Sequence, residues 1–269
     1  LTETFARKGG EVVSMNHKAA RLGHDFARER CPQCVPIQLP RRSAPKRLYM
    51  TGSDALGMGA LAAGCKWMSA YPMTPSTGIL NYLAEHSAKY GLVVEQAEDE
   101  IAAVNMAIGA SFAGVRALTG TSGGGFALMN EGLALAAMTE TPLVVVLAQR
   151  PGPATGLPTR TGQEELLYAI HAGAGEFPKV ILAPGNPEDA FYLMAKAFNL
   201  AERFQVTCIV MSDQALADNA FTLEGLDFDR VKIDRGPMWD PAGKAPYTYE
   251  RHAYTENGVS PRLFPGTPQ

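Results

Sequence analysis

From Leu48 to Ser212 the chain alternates short apolar runs with longer amphipathic or alanine-rich stretches. The runs are of strand length and predict strands at 48–51, 69–72, 92–96, 116–121, 142–148, 180–183 and 206–212. The stretches between them predict helices at 55–67, 76–90, 98–113, 123–138 and 187–203. Asp54 is placed to cap the first helix and Gly114 to end the third. Pro142–Ala148 is apolar at every position, the pattern of a strand covered on both faces. Strands alternating with helices predict an α/β fold, a parallel sheet with helices on both faces. Ligand sites in such sheets lie beyond the carboxyl ends of the strands. The loops to inspect are therefore 71–77, 96–100, 119–125 and 149–161.

The flanks lack this alternation. Residues 1–30 are polar and mostly helical in pattern, with Val12 and Val13 as a candidate short strand. Residues 32–47 carry Pro32, Pro36, Pro40 and Pro45 with a basic run of Arg41, Arg42, Lys46 and Arg47. Proline blocks both helix and ladder hydrogen bonds, so this stretch reads as a linker. After Asp218 the periodicity is lost again. Pro237, Pro241, Pro246, Pro261, Pro265 and Pro268 are interleaved with Trp239, Tyr247, Tyr249 and Tyr254, which predicts an extended arm or linker. The expected organisation is 1–45 as the tail of a preceding domain and a linker, 46–220 as the α/β domain, and 221–269 as an arm leading to more protein.

Composition narrows the picture further. The chain has 269 residues, 46% of them hydrophobic, enough for a substantial core, and a net charge of -3. No basic bias points to nucleic acid, no apolar run approaches a membrane span, and no signal peptide is visible. Four cysteines make no disulfide framework, and a cytoplasmic, reducing setting is expected. Cys31 and Cys34 form a lone CxxC in a proline-rich context, without the further ligands of a zinc site or the strand and helix of a redox motif. They read as two ordinary thiols, the alternative being a metal shared with a further segment.

The glycines at 52, 57 and 59 fit neither a P-loop nor a dinucleotide fingerprint and read as close helix packing. Thr119–Gly125 joins a strand to a helix; its backbone N–H groups can hold an anion, and a tight turn explains it equally well. Glu98, Asp99 and Glu100 are acids at a helix start, ordinary there because they complement the helix dipole. Arg150 ends the most apolar strand, either as a bidentate carboxylate clamp or as an ion-paired surface arginine.

The residues themselves go further. Tyr71-Pro72-Met73-Thr74-Pro75-Ser76-Thr77 resembles the Tyr-Pro-Ile-Thr-Pro-Ser signature of the 2-oxoacid:ferredoxin oxidoreductases. The blocks Gln96–Ala103, Thr121–Phe126, Met138–Pro142 and Gln149–Arg160 follow in the order found in the α subunit of that family. The resemblance covers roughly residues 48–218. Phe5–Val13 looks like the tail of the family's γ domain, fused in front of α. Gly124 and Pro151 depart from the family's Ser-Gly-Pro-Gly and Arg-Gly-Gly-Pro.

The resemblance implies the pyrimidine-binding domain of a thiamine diphosphate enzyme. It assigns Glu100 to the aminopyrimidine ring nitrogen and Thr74 to the bound 2-oxoacid, where the plainer role would be a helix cap. It assigns Arg150 to the substrate carboxylate. Thr121, Ser122, Tyr71 and Pro72 would line the cofactor pocket, and Arg160 is the candidate cation for a second carboxylate, 2-oxoglutarate being the favoured substrate. No Gly-Asp-Gly and no cysteine cluster occur here. A β subunit is therefore expected to bring the diphosphate site, Mg²⁺ and a 4Fe–4S cluster, with coenzyme A taking the acyl group and ferredoxin the electrons. The competing readings are a non-oxidative thiamine-dependent decarboxylase α subunit and a non-catalytic nucleotide-binding or scaffold domain.

Overall fold

The computed structural model describes all residues except 32, 35–39, 41, 42, 44, 241, 243–247, 268 and 269. Of the linker and arm residues singled out above, Pro32, Pro36, Arg41, Arg42, Pro241, Pro246, Tyr247 and Pro268 lie outside the described set. The chain divides into two compact units, Leu1–Pro45 and Lys46–Gln269.

The first unit holds a short helix α1 (Thr2–Phe5) and a long helix α2 (Gly10–Arg30). Val12 and Val13 lie inside α2 and form no strand, because the helix starts at Gly10 and runs unbroken for 21 residues. Cys31 and Cys34 are joined in a disulfide, with Cα atoms 5.3 Å apart. That corrects the reading of two ordinary thiols: the chain turns at the end of α2, where the Cys34 N–H bonds the Cys31 carbonyl, and brings the side chains together.

The second unit opens with β1 (Leu48–Thr51), then α3 (Gly52–Ala62), β2 (Cys65–Ala70), α4 (Thr77–Tyr90), β3 (Val93–Gln96) and α5 (Glu100–Phe112). β4 (Arg116–Thr121), α6 (Gly123–Leu128), α7 (Asn130–Met138), β5 (Leu143–Gln149) and α8 (Leu166–His171) follow. β6 (Lys179–Leu182), α9 (Pro187–Phe204), β7 (Thr207–Asp213), α10 (Gln214–Asp218) and β8 (Ala220–Leu223) complete it. Six strands form one parallel sheet in the order β3-β2-β4-β5-β7-β6. β1 is not among them: it pairs antiparallel with β8 in a separate two-stranded sheet.

Strand β5 shows why the run 143–148 had to be hydrophobic. Val144 and Val146 face the cluster built with Leu56 of α3, Leu83 of α4 and Phe198 of α9. Val145 and Leu147 face the cluster built with Val104 of α5, Phe126 of α6 and Leu133 of α7. Successive side chains of a strand point to opposite faces, so burial on both demands apolar residues throughout. Small residues let the helices close in: a Cβ at Gly59 would stand 2.5 Å from the Phe191 carbonyl oxygen of α9.

Some boundaries differ from expectation. α3 ends early because Gly64 takes a positive φ of 79°, and Trp67 falls in β2 rather than at a helix end. The cap of α3 is Thr51, with Asp54 its reciprocal partner in a capping box. The expected helix 123–138 is two helices divided at Met129.

The segment after β8 packs back on the base of the sheet. Buried Glu202 of α9 accepts from Arg116 (2.7 Å), Arg235 (2.8 Å) and Arg262 (3.1 Å), the last two from that segment. Arg251 bonds Glu140 (2.8 Å) and Gln205 (2.7 Å), and Trp239 meets Tyr249 edge-on. Among the described residues no helix is long and apolar enough to cross a membrane.

Candidate active site

The sheet order reverses between β2 and β4: the chain leaves β2 for β3 on one side and returns to β4 on the other. Such a switch point opens a crevice beyond the carboxyl ends of its strands. β2 delivers Tyr71–Pro75 to it, β4 delivers Thr121 and Ser122, and β3 leads through Ala97 into α5, which begins at Glu100.

Asp99 is the N-cap of α5 and accepts the Ala102 N–H (2.7 Å), so it is used by the helix, while Glu98 is exposed. Glu100, one residue on, is turned inward and buried. Its Oε1 accepts the Thr121 hydroxyl at 3.2 Å. Thr121 also lies 3.7 Å from the Met73 sulfur, which ties the 71–75 turn to β4. Gly125 on α6 is fitted to this pair. A Cβ there would stand 2.5 Å from Glu100 Cδ and closer still to Glu100 Oε1 and Thr121 Oγ1. The first turn of α6 thus has glycine where the carboxylate and hydroxyl need the space. Ser122, the N-cap of α6, is buried, and its hydroxyl has no partner.

Arg150 follows β5 and is 6% exposed. Its Nη1 donates to the Thr74 carbonyl at 2.8 Å, while Nε is buried without a partner. The surface ion-paired reading of Arg150 therefore fails: it is buried, and among the described residues it makes no ion pair. Thr74 is exposed; α4 takes Ser76 as its N-cap and has no side-chain cap bond, so Thr74 does not cap the helix. Tyr71 is 40% exposed and Pro72 half-buried on the same turn. Arg160 is not gathered with these groups; it is exposed and donates to the Thr159 carbonyl (3.3 Å).

One residue was missed. Glu165, at the start of α8, is buried; its Oε2 has no partner, and its Oε1 packs against Gly123. Burial and neighbouring Glu164 push its carboxyl above the usual carboxylate range. It follows a long loop without periodicity, and nothing in the sequence separates it from a solvated acid. A cavity of about 320 Å³ lies elsewhere, at the amino end of β5 among Phe112, Pro142, Tyr249 and Phe264, and none of the predicted site residues lines it.

An acid, two hydroxyls and an arginine at the switch point of a parallel sheet define a ligand-binding α/β domain. Residues 58–260 match the family model described as pyruvate flavodoxin/ferredoxin oxidoreductase, thiamine diphosphate-binding, and the chain belongs to that family. It is 40% identical over 275 residues to the α subunit of 2-oxoacid:ferredoxin oxidoreductase 2 of Aeropyrum pernix, covering 96% of this chain and 42% of that subunit. It is 45% identical over 163 residues to the 2-oxoglutarate synthase subunit KorA of Archaeoglobus fulgidus, 61% of this chain and 47% of that one. A solved 2-oxoglutarate:ferredoxin oxidoreductase of Magnetococcus marinus, with 2-oxoglutarate, coenzyme A and succinyl-CoA bound, superposes with a TM-score of 0.86 at 40% identity. That match covers 99% of this chain and 46% of the other. The chain thus spans less than half the length of these relatives.

Proposed function

We propose that this chain is the pyrimidine-side part of the α subunit of a thiamine diphosphate-dependent 2-oxoacid:ferredoxin oxidoreductase, with 2-oxoglutarate as substrate. The observation that carries the reading is the convergence of Glu100, Thr121, Ser122 and Arg150, all buried, on the switch-point crevice. The residues fit the cofactor. A buried carboxylate suits a ring nitrogen, the Ser122 hydroxyl is unpartnered, and Gly125 keeps the space around Glu100 clear. The relatives named as 2-oxoglutarate synthases, and the 2-oxoglutarate in the Magnetococcus enzyme, support the substrate.

When bound, thiamine diphosphate supplies the nucleophilic carbon and stores the electron pair released on decarboxylation. Glu100, oriented by the Thr121 hydroxyl, would hydrogen-bond a nitrogen of the bound ring and serve there as its proton-exchanging group. Tyr71 and Pro72 wall the crevice. Arg150, steadied by the Thr74 carbonyl, keeps Nε for the substrate carboxylate, and a carboxylate there satisfies a donor otherwise left buried and unpaired. The Thr74 hydroxyl is assigned to the 2-oxo group; Arg160, exposed and apart from these residues, could serve a distal carboxylate only from the rim of the crevice. A β subunit brings the diphosphate grip, Mg²⁺ and the 4Fe–4S cluster. Electrons leave to ferredoxin and the acyl group to coenzyme A.

The test is co-expression of the full-length chain with its β subunit and an assay of 2-oxoacid-dependent viologen reduction. Activity should require coenzyme A and thiamine diphosphate and should fall at least about a hundredfold in Glu100→Ala. A folded complex indifferent to that substitution would sink the catalytic assignment.

A further inference from the structure

We infer that Glu165 is the proton-linked partner of Arg150: it takes up a proton from solvent when an anionic carboxylate joins Arg150 in the crevice. The identity of that anion, a 2-oxoacid, rests on the functional reading above.

The geometry gives Arg150 a charge without a near counter-charge. Its guanidinium bonds the neutral carbonyl of Thr74, and among the described residues it has no acid within ion-pair distance. Glu165 is the acid that feels its field. The Glu165 side chain turns inward from the start of α8 and packs on the turn after β4, where a Cβ at Gly123 would stand 3.2 Å from its Cδ. Its own N–H donates to Gln149 Oε1 (3.2 Å), and Gln149 Nε2 donates to the Ser212 carbonyl (3.3 Å). The carboxyl is thus fixed between the loops that carry Ser122 and Arg150. One of its oxygens is buried and unpartnered, as are Arg150 Nε and the Ser122 hydroxyl.

The charges around it are few. Glu164, next in the chain, opposes ionisation, as does burial, which is the larger effect. The Arg150 charge and the backbone N–H groups of Arg150 and Glu165 favour ionisation. α6 brings glycines and no charge. On the β7 side Asp213 is occupied by Gln163 (2.6 Å) and by the Leu216 N–H (2.8 Å). The Arg150 field is thus one of the effects that hold Glu165 ionised, added to those of the two backbone N–H groups. An anion bound to Arg150 cancels that field and adds repulsion, and the favourable response is to form one O–H bond with a proton taken from water. Burial already raises this carboxyl above its ordinary range, so a further push from the bound anion acts in the same direction.

The sign follows. Anion binding is strongest where Glu165 is already neutral. It weakens as pH rises through the Glu165 pKa, by up to about tenfold per pH unit for one linked proton. The test is calorimetric titration of N-oxalylglycine, an isostere of 2-oxoglutarate that cannot be decarboxylated, into the complete α–β enzyme. It is run from mildly acid to mildly alkaline pH in two buffers of different ionisation enthalpy. The wild type should lose affinity with rising pH, and its binding heat should depend on the buffer. Glu165→Gln keeps an oxygen to accept the Arg150 N–H and fixes the neutral state. Its affinity should be flat with pH and its heat independent of buffer. Proton uptake that persists in Glu165→Gln overturns the inference. So does a wild type with no uptake, a result that needs no variant to fold. A wild type that turns over 2-oxoacids yet binds the isostere without pH dependence leaves the functional reading intact and removes only the role of Glu165. A wild type inactive on every 2-oxoacid removes the functional reading itself.

Discussion

Gly125→Ala is the sharpest probe of the crevice, because the substitution adds one methyl group and no chemistry. The new Cβ would stand 2.5 Å from Glu100 Cδ. Carbon atoms rest about 3.5–4.0 Å apart, so Glu100 or helix α6 must yield by about 1 Å. Neither yields freely: Glu100 is buried and tied to Thr121, and α6 is pinned by Phe126, buried among Val104, Leu133 and Leu147. Overpacking of this kind costs about 1–3 kcal/mol. At about 2–4 °C per kcal/mol for a domain of this size, the midpoint of unfolding should drop by about 2–12 °C. A catalytic group displaced by about 1 Å loses on the order of a hundredfold in rate. The assay is the viologen reduction rate of the complete enzyme beside its melting curve. The variant should be folded at the assay temperature and nearly inactive. A folded Gly125→Ala enzyme with more than about a third of wild-type kcat would refute the placement of Glu100 at the reaction centre.

Two further outcomes test other parts of the molecule. Glu202→Ala leaves Arg116 and Arg262 buried without their counter-charge, which should cost about 3–5 kcal/mol and lower the melting midpoint by about 6–20 °C; a shift of under about 2 °C would show that the cluster contributes nothing to folding. Burial pushes the thiols of Cys65 and Cys208 up to about 12, so at about pH 8 roughly one in ten thousand is ionised. Iodoacetamide should leave both unlabelled in the native protein and reach them on denaturation, and mass mapping of native label on either would contradict their burial.

The parallel sheet was legible because its cause is local. A run such as 143–148, apolar on both faces, has no stable place except between two helical layers. The fate of β1 was not legible. Leu48 and Tyr49 are exposed, so its pattern specifies no face, and its partner β8 comes near residue 220. Gly64 and Met129 moved helix ends because backbone conformation at single residues outweighs periodicity. Within the crevice, Arg150 and Glu100 could be named from the resemblance, but residue type alone left Arg150 evenly balanced between clamp and ion pair and made Glu100 an ordinary helix-start acid. Glu165 carried no signal, since the packing of its carboxyl on Gly123 exists only after two loops have met.

Two buried arginines show how the crevice differs from the rest of the protein. Arg116 has a partner at every nitrogen: it donates to Glu202, to Asn199 Oδ1 and to the carbonyls of Ala63 and Asp234. Arg262 has an unpartnered Nε, yet its guanidinium is anchored to Glu202 and lies over the Phe264 ring. Among the described residues the Arg150 side chain has a single hydrogen bond, to a neutral oxygen, and an equally unpartnered Nε. Beside it stand the unpartnered oxygens of Ser122 and Glu165. Each such atom costs about 1–3 kcal/mol, and three together about 3–9 kcal/mol, against a net stability of about 5–15 kcal/mol for a typical domain. Folding alone favours replacing all three with apolar groups. Three of the seven unpartnered buried side-chain atoms among the described residues thus gather around the loops after β4 and β5, which fits the proposed site for an anionic ligand and sets Arg150 apart from the arginines that only hold the fold together.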